Sequence, residues 1–315
     1  MEFNKAISDL TLGDEIEGFY VLKEATAKVA SNGKPFLNAV LSDRSGSINM
    51  MVWDYAGPVG AGDVGKVVKV RGEVNEYRAI PQINALRLRL ADENDHYPLD
   101  SLVPTAPIDA ETALSEIESL IGSIEDADYR TVSQKLLEKH RAAFMSIPAA
   151  KSVHHSYISG LLYHTYRMLL TADFLAGLYP EVTDRSLLLA GTLLHDLMKE
   201  EEFTFSPLGL VTDYSEKGQL LGHLVMGAEE VGRAADECGM PESKKILLQH
   251  MILSHHGEPE FGAAVKPLCA ESELLSLIDL IDSRMEIYAE TFDTVPVGEF
   301  SQRLFALDKK IYHHG

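Results

Sequence analysis

Five stations in the second half of the chain carry side chains able to hold a divalent cation: His164, His195 with Asp196, His223, His255 with His256, and Asp279. Imidazole nitrogens and carboxylate oxygens suit ions such as Mn²⁺, Fe²⁺, Co²⁺ or Mg²⁺. No cysteine stands among them, which argues against a structural zinc cage. The stations differ in weight. His195-Asp196 follows the apolar run SLLLAGTLL, so the pair must be partnered or coordinated to offset its desolvation. Asp279 interrupts the apolar helix LLSLIDLIDSRM, and ligation explains it best, whereas Asp282 and Arg284 a turn later suit an ordinary surface or cap interaction. His164 in GLLYHT says little alone, and His140 or His250 are ordinary helix histidines.

Chemistry of this kind needs elements that bring distant residues together. Helical periodicity predicts helices over 111–121, 128–145, 155–178, 184–199, 217–238, 242–254 and 271–291, with Asp109 as an N-cap and a short hairpin over 203–213. Each station lies within or at the end of a different helix. Facing helices that each give one or two inward ligands are how a helical bundle builds an internal metal site.

The first hundred residues read differently. Runs at 19–30, 36–42, 48–53, 68–74 and 85–90 alternate apolar and polar residues between turn signals, including Ser31-Asn32-Gly33-Lys34 and Asp43-Arg44-Ser45-Gly46. Five short strands suggest a small closed barrel. Leu86, Leu88 and Leu90 mark the core phase of the last strand. Lys69, Arg71, Arg87 and Arg89 lie on the outer phase, Arg78 in a connection, and the aromatics Phe36, Trp53 and Tyr77 off the core phase or near turns. Charge for phosphates interleaved with π faces for bases is what single-stranded nucleic acid needs. The simpler alternative is the solvated face of an amphipathic barrel.

Composition bounds the whole. A chain of 315 residues suggests two domains, here a barrel over 1–95 and helices over 111–315, joined by a proline-bearing linker over 96–110. The net charge of −20 argues against a broad electrostatic grip on duplex nucleic acid. Yet residues 1–100 hold 11 basic and 15 acidic side chains, while 101–315 hold 17 and 33, so most of the excess acid sits with the histidines. No apolar run is long enough for a membrane span, no secretory signal opens the chain, and two cysteines fit a reducing cytoplasm.

Two resemblances sharpen this picture. The run VLKEATAKVASNGKPFLNAVLSDRSGSINMMVWD resembles the opening of an OB-fold nucleic-acid-binding domain. HHSYISGLLYHT, LLHDLMKEEEF, GHLVMGAEEV, ILSHHGEPEFG and LIDLIDSRM, in that order over about 130–290, resemble the HD-domain metal-dependent phosphohydrolases. The two together resemble the YhaM-type 3′–5′ exoribonucleases of bacteria. That resemblance implies one or two divalent ions, Mn²⁺ foremost, with His164, His195, Asp196 and Asp279 on the first. Asp196 would bridge to a second ion held by His223, His255 and His256. Lys199 matches a basic residue that can contact substrate phosphate, although Met198 stands where many of these proteins have glycine. His155, and with it His154, could contact substrate.

The implied reaction is hydrolysis of single-stranded RNA or DNA from a 3′ end to nucleoside 5′-monophosphates. The residues would act with two ions about 3.5–4 Å apart. Lys199 and His155 would neutralise developing charge. A homo-oligomer would suit an end-selective nuclease. Two other readings compete: an HD-domain phosphohydrolase acting on a cyclic dinucleotide or free nucleotide, and a non-catalytic RNA-binding protein.

Overall fold

A computed structural model describes residues 2–78, 80–151 and 155–315. The chain divides into two compact units, one holding residues up to 105 together with 206–208, the other holding 106–205 and 209–315.

The first unit is a closed β-barrel. Its strands are β1 (Glu2–Phe3), β2 (Glu15–Val29), β3 (Pro35–Asp43), β4 (Gly46–Trp53), β5 (Val67–Tyr77) and β6 (Ile80–Leu90). They pair in the order β1-β2-β3-β4-β6-β5, and β2 pairs again with β5 to close the ring. This is the five-stranded OB-type arrangement, with a parallel β4–β6 pair and the short β1 added parallel to β2. Alternation sets the register. Leu37, Ala39 and Leu41 face Val52, Met50 and Ile48 across the β3–β4 hairpin, and all six are buried. The turns close as their sequence requires: Asp43 Oδ1 accepts the backbone N–H of Ser45 at 2.7 Å, and Asn32 Oδ1 that of Lys34 at 3.1 Å.

Two sequence expectations are corrected here. Leu86 is 75% exposed rather than on the core face with Leu88 and Leu90. The register slips between Arg71 and Gly72, so Arg71 faces Arg87 but Gly72 faces Ala85, and the bulge turns Leu86 outward. The start of the expected linker is not a free connection either. Helix α1 (Leu99–Leu102) buries Leu102 with Phe19 and Val67, and Tyr97 lies 5.0 Å from the Phe19 ring. Leu102 and Tyr97 supply the apolar contacts that hold this segment within the barrel unit.

The second unit is helical. It contains α2 (Ala110–Gly122), α3 (Ala127–Ser146), α4 (Gly160–Leu178), α5 (Arg185–Leu194) and α6 (Lys199–Glu202). After the hairpin β7 (Phe203–Phe205) and β8 (Val211–Tyr214) come α7 (Glu216–Leu220), α8 (Gly222–Cys238), α9 (Glu242–Ser254) and α10 (Ala270–Phe292). Aspartates cap three of the starts: Asp109, Asp126 and Asp184 each accept backbone N–H groups of the first turn. Every residue of α5 from Ser186 to Leu194 is buried, which makes it the central helix, packed by α3, α4, α9 and α10.

Three expected helices have different bounds. The one over 155–178 starts at Gly160, and His155 stands before it with φ +56°. The one over 184–199 stops at Leu194; residues 195–198 form turns, and Lys199 opens a new helix. The one over 217–238 breaks at Gly222, where φ is +72°. Two of these breaks adjoin a candidate ligand. The turn after Leu194 begins with His195-Asp196, and Gly222 precedes His223. No helix among the described residues is long and apolar enough to cross a membrane.

Candidate metal centre

The five stations meet in the helical unit. His164 comes from α4, His195 and Asp196 from the turn after α5, His223 from the first turn of α8, His255 and His256 from the end of α9, and Asp279 from α10. His164 Nε2 lies 3.3 Å from His195 Nε2, 3.7 Å from Asp196 Oδ2 and 3.4 Å from Asp279 Oδ1. His195 Nε2 is 3.2 Å from Asp196 Oδ2. The other carboxylate oxygen, Asp196 Oδ1, faces His223 Nε2 at 3.2 Å and His255 Nε2 at 3.6 Å. Ring nitrogens of His223, His255 and His256 lie within 4.8 Å of one another. Asp196 therefore turns one oxygen to each of two imidazole groups.

What aims the imidazoles is the nitrogen that points away. His164 Nδ1 donates to Asp282 Oδ2 at 2.7 Å and His223 Nδ1 to Glu202 Oε1 at 2.9 Å. His195 Nδ1 donates to the Thr192 carbonyl at 2.8 Å and His255 Nδ1 to the Ile252 carbonyl at 2.7 Å. In a neutral ring each such bond fixes the tautomer and leaves Nε2 with a free lone pair directed inward, as metal-ligating histidines require. Four of the inward atoms lack other partners. Asp196 Oδ1, His223 Nε2, His255 Nε2 and His256 Nδ1 are all buried without a hydrogen bond. Leaving such atoms unsatisfied costs on the order of 1–3 kcal/mol each, and a cation at their common focus would satisfy them together. The donor set fits a divalent ion of the Mn²⁺, Fe²⁺, Co²⁺ or Mg²⁺ type.

The electrostatics differ across the centre: burial opposes charge on His164 and His223 but the carboxylates beside them raise both, while His255 and His256 are lowered. Burial disfavours charge on Asp196, but the Lys199 ammonium, 2.5 Å from Oδ2, and His195 hold its carboxyl well below the usual range. Burial lowers His255. It pushes His256 down to about 3, aided by the neighbouring His255 and His223, so both rings are neutral and able to ligate. His164 goes the other way: burial opposes protonation, but the bonds to Asp279 and Asp282 outweigh it and raise it to about 9.

Asp282 is the residue that sequence reasoning misplaced. It is buried, not a surface or cap group, and accepts from His155 Nε2 at 2.8 Å, His164 Nδ1 and Arg167 Nε at 2.7 Å. Arg167 also reaches Glu286 at 2.7 Å, and Tyr157 donates to Glu286 at 2.6 Å. A third cluster, His155, His164 and Asp282, is thus already closed by the Arg167 cation. Its spacing was legible: Asp279, Asp282 and Glu286 recur at i, i+3 and i+7 on one helix face. Glu202 was passed over too, inside the run Lys199-Glu200-Glu201-Glu202, whose charge reads as solvated.

His155 needs correcting as a substrate contact. It is fully buried, and its two ring nitrogens meet Asp282 and the Tyr157 hydroxyl, so it can reach the site only through Asp282 and His164. His154 lies outside the described residues. Lys199 Nζ lies 2.5 Å from Asp196 Oδ2, and Met198 before it has φ −83° and ψ 10°, which suit any residue. His140 is buried against Glu200 and Glu230. His250 accepts from the Leu268 N–H at 3.0 Å, so both are ordinary satisfied histidines.

On the barrel, Trp53, Lys69, Arg71, Arg87 and Arg89 line one groove of about 780 Å³. Phe36 packs on Trp53 at its edge with ring centroids 5.1 Å apart. Tyr77 and Arg78 are not part of this groove; they sit at the β5–β6 turn, the guanidinium 5.3 Å from the Tyr77 ring. The cations are not equivalent. Arg89 is held by Asp95 at 2.5 and 2.7 Å, and Lys69 lies 3.2 Å from Glu17. Arg71 and Arg87 face each other across β5 and β6 with no ion-pair partner among the described residues.

Comparison with known proteins gives one family-model match, to part of the chain, and several solved structures of low similarity. Residues 161–284 match the family model described as the HD domain, which indicates a metal-dependent phosphohydrolase. The second OB-fold domain of replication protein A from Methanococcus maripaludis is 16% identical over 30% of this chain and 100% of its own, with a TM-score of 0.23. An OB domain from Methanosarcina mazei is 17% identical over 30% of this chain and 88% of its own, with a TM-score of 0.25. A replication protein A heterotrimer bound to single-stranded DNA is 15% identical over 27% of this chain and 62% of its own, with a TM-score of 0.21. The barrel's fold rests on its own strand order rather than on these likenesses. An OB-type barrel is therefore followed by a helical region that carries an HD domain at residues 161–284.

Proposed function

We propose that the helical unit hydrolyses phosphodiesters with one or two divalent ions, and that its substrate is single-stranded RNA (or DNA) taken from the 3′ end. The observation that carries the reading is Asp196, with one oxygen toward His164 and His195 and the other toward His223 and His255. Bound ions would polarise the phosphoryl oxygens and supply a nucleophilic water at neutral pH. In the overall step water adds to phosphorus and the bond to the 3′ oxygen of the preceding nucleotide breaks. That oxygen leaves as a hydroxyl, and the terminal residue departs as a nucleoside 5′-monophosphate.

The chain's own residues divide the remaining work. His164, His195, Asp196 and Asp279 would hold one ion, and Asp196, His223, His255 and His256 the other. Asp282 and Glu202 orient His164 and His223 through Nδ1. Lys199 keeps Asp196 ionised and offers an ammonium to the phosphate. On the barrel, two cationic pairs, Lys69–Arg89 and Arg71–Arg87, stand directly opposite each other. Lys69 and Arg89 are already answered by Glu17 and Asp95, so it is the Arg71–Arg87 pair whose like charges are destabilising and would be relieved by a bound phosphate backbone. Trp53 and Phe36 would supply stacking surfaces, and Tyr77 with Arg78 a further contact at the turn.

Incubating Mn²⁺-loaded protein with 5′-labelled single-stranded RNA, single-stranded DNA, duplex RNA and a cyclic dinucleotide tests the reading. The expected result is stepwise shortening of single strands from the 3′ end with release of 5′-monophosphates. Cleavage of the cyclic dinucleotide alone would replace the substrate assignment, and no hydrolysis of any of them would refute the phosphodiesterase.

A further inference from the structure

We infer that a cavity beside the candidate ligands is a subsite for the base of the substrate's terminal nucleotide, with Phe261 as its stacking surface. The inference rests on the reading of the neighbouring centre as a phosphodiesterase. A cavity of about 400 Å³ in the helical unit has His164, Lys199, His256 and Asp279 among its polar lining, with Glu258 and Glu273 also on its wall. Besides Ala149 and Pro267, three exposed apolar side chains line the same cavity: Phe261, Leu277 and Leu280. They are 74%, 46% and 44% exposed, so none of them belongs to the protein core. Pockets that take small organic ligands span roughly 300–1,000 Å³ and combine apolar walls with a few fixed polar groups. This one is at the small end of that range, room for one nucleotide rather than a duplex end.

The local sequence explains how an aromatic ring comes to stand there. His255 and His256 end α9, and Gly257 follows with φ +77°, a conformation that turns the chain back at once. A Cβ at Gly257 would lie 2.6 Å from Ser276 Oγ, so the turn passes close against α10. The short 3₁₀ turn Pro259–Phe261 then carries Phe261, and Gly262 with φ +103° ends it. Five residues after the ligand His256, an aromatic side chain is thereby fixed at the mouth of the site. On α10, Ser276, Leu280 and Ser283 lie on one helical face at i, i+4 and i+7 with Asp279 beside them, so one helix supplies both a candidate ligand and part of the wall. The two serine hydroxyls are polar groups suited to the edge of a base or a ribose.

An aromatic face beside a phosphate-handling centre fits a nucleotide better than a base-free phosphoester. Stacking of a base on an aromatic side chain is worth about 5- to 150-fold in affinity. It is also tolerant of base identity, so the subsite should favour any nucleoside 5′-monophosphate over ribose 5-phosphate.

Calorimetric titration of Mn²⁺-loaded full-length protein with adenosine 5′-monophosphate and with ribose 5-phosphate tests this without relying on turnover. The nucleotide should bind about 5- to 150-fold more tightly. In Phe261→Ala that ratio should collapse toward one through loss of nucleotide affinity alone, and Phe261→Trp should restore it. The exposure of Phe261 makes a folding defect in these variants small. Equal affinity of the two ligands in the wild type, absence of binding by either, or an unchanged ratio in Phe261→Ala would overturn the proposal. So would a change of oligomeric state in Phe261→Ala with the ratio intact, which would make the wall a protein contact. If base-dependent binding holds while RNA is not degraded, the exonuclease reading fails and the base subsite stands.

Discussion

The helical centre and the barrel groove both gather charged side chains, but they hold them in opposite ways. In the helical unit four of the five inward imidazoles are tied from behind, His164 by Asp282, His223 by Glu202, and His195 and His255 by backbone carbonyls. In the groove Arg89 and Lys69 are answered by Asp95 and Glu17, and Arg71 and Arg87 are left facing each other. A site built for chemistry needs atoms fixed in advance, because misplacement costs rate. A surface built to track a strand needs only charge and stacking faces, and tolerates loosely held side chains. If the barrel takes a single strand as proposed, the contrast explains how a chain of net charge −20 would engage a polyanion locally.

The contrast can be broken at its strongest point first. Asp196→Ala removes the group shared by both halves of the centre and should lower turnover on RNA by more than about a hundredfold, beyond the cost of losing an outer partner. Activity near wild type in the folded variant would dissolve the assignment. Next in size, Asp282→Asn and Glu202→Gln should each weaken Mn²⁺ binding about 10- to 100-fold. Because Asp282 serves His164 and Glu202 serves His223, the losses should fall on different ions in a titration. Identical effects on both would mean that the two halves are not separately supported.

The groove should respond more mildly. Replacing Arg71 and Arg87 together by alanine should lower the slope of log affinity against log salt for single-strand binding by about 0.7 for each phosphate no longer neutralised. Arg89→Ala should do less, since Asp95 already holds that guanidinium. An equal loss at Arg89, read from binding isotherms over a range of salt, would remove the distinction between free and answered cations. Smallest of all, Arg87→Glu should stabilise the barrel by about 0.2–1 kcal/mol in urea unfolding while weakening strand binding. A fall in both would show that the opposed arginines are not in conflict.

How far each region was legible follows from the same difference. Period-two alternation announced the barrel because its core residues are local and repetitive, and it failed at Leu86, where a bulge that the pattern does not encode reverses the face. The candidate ligands were legible because a His-Asp pair after SLLLAGTLL has no cheap alternative to coordination. Their supports were not. Asp282 and Glu202 look like surface acids in sequence, and only the packing of α10 on α4 and the turn before α8 turns them inward. His155 misled for the converse reason. A histidine beside a motif suggests contact with substrate, whereas its left-handed backbone tucks the ring behind His164.

In the proposed centre Asp196 joins two metal positions. Titrating the wild type and Asp196→Ala with Mn²⁺ and counting bound ions tests it most directly. The account predicts two ions per wild-type chain and loss of tight binding at both positions in the variant. Two tightly bound ions retained in Asp196→Ala, or fewer than two in the wild type, would contradict it.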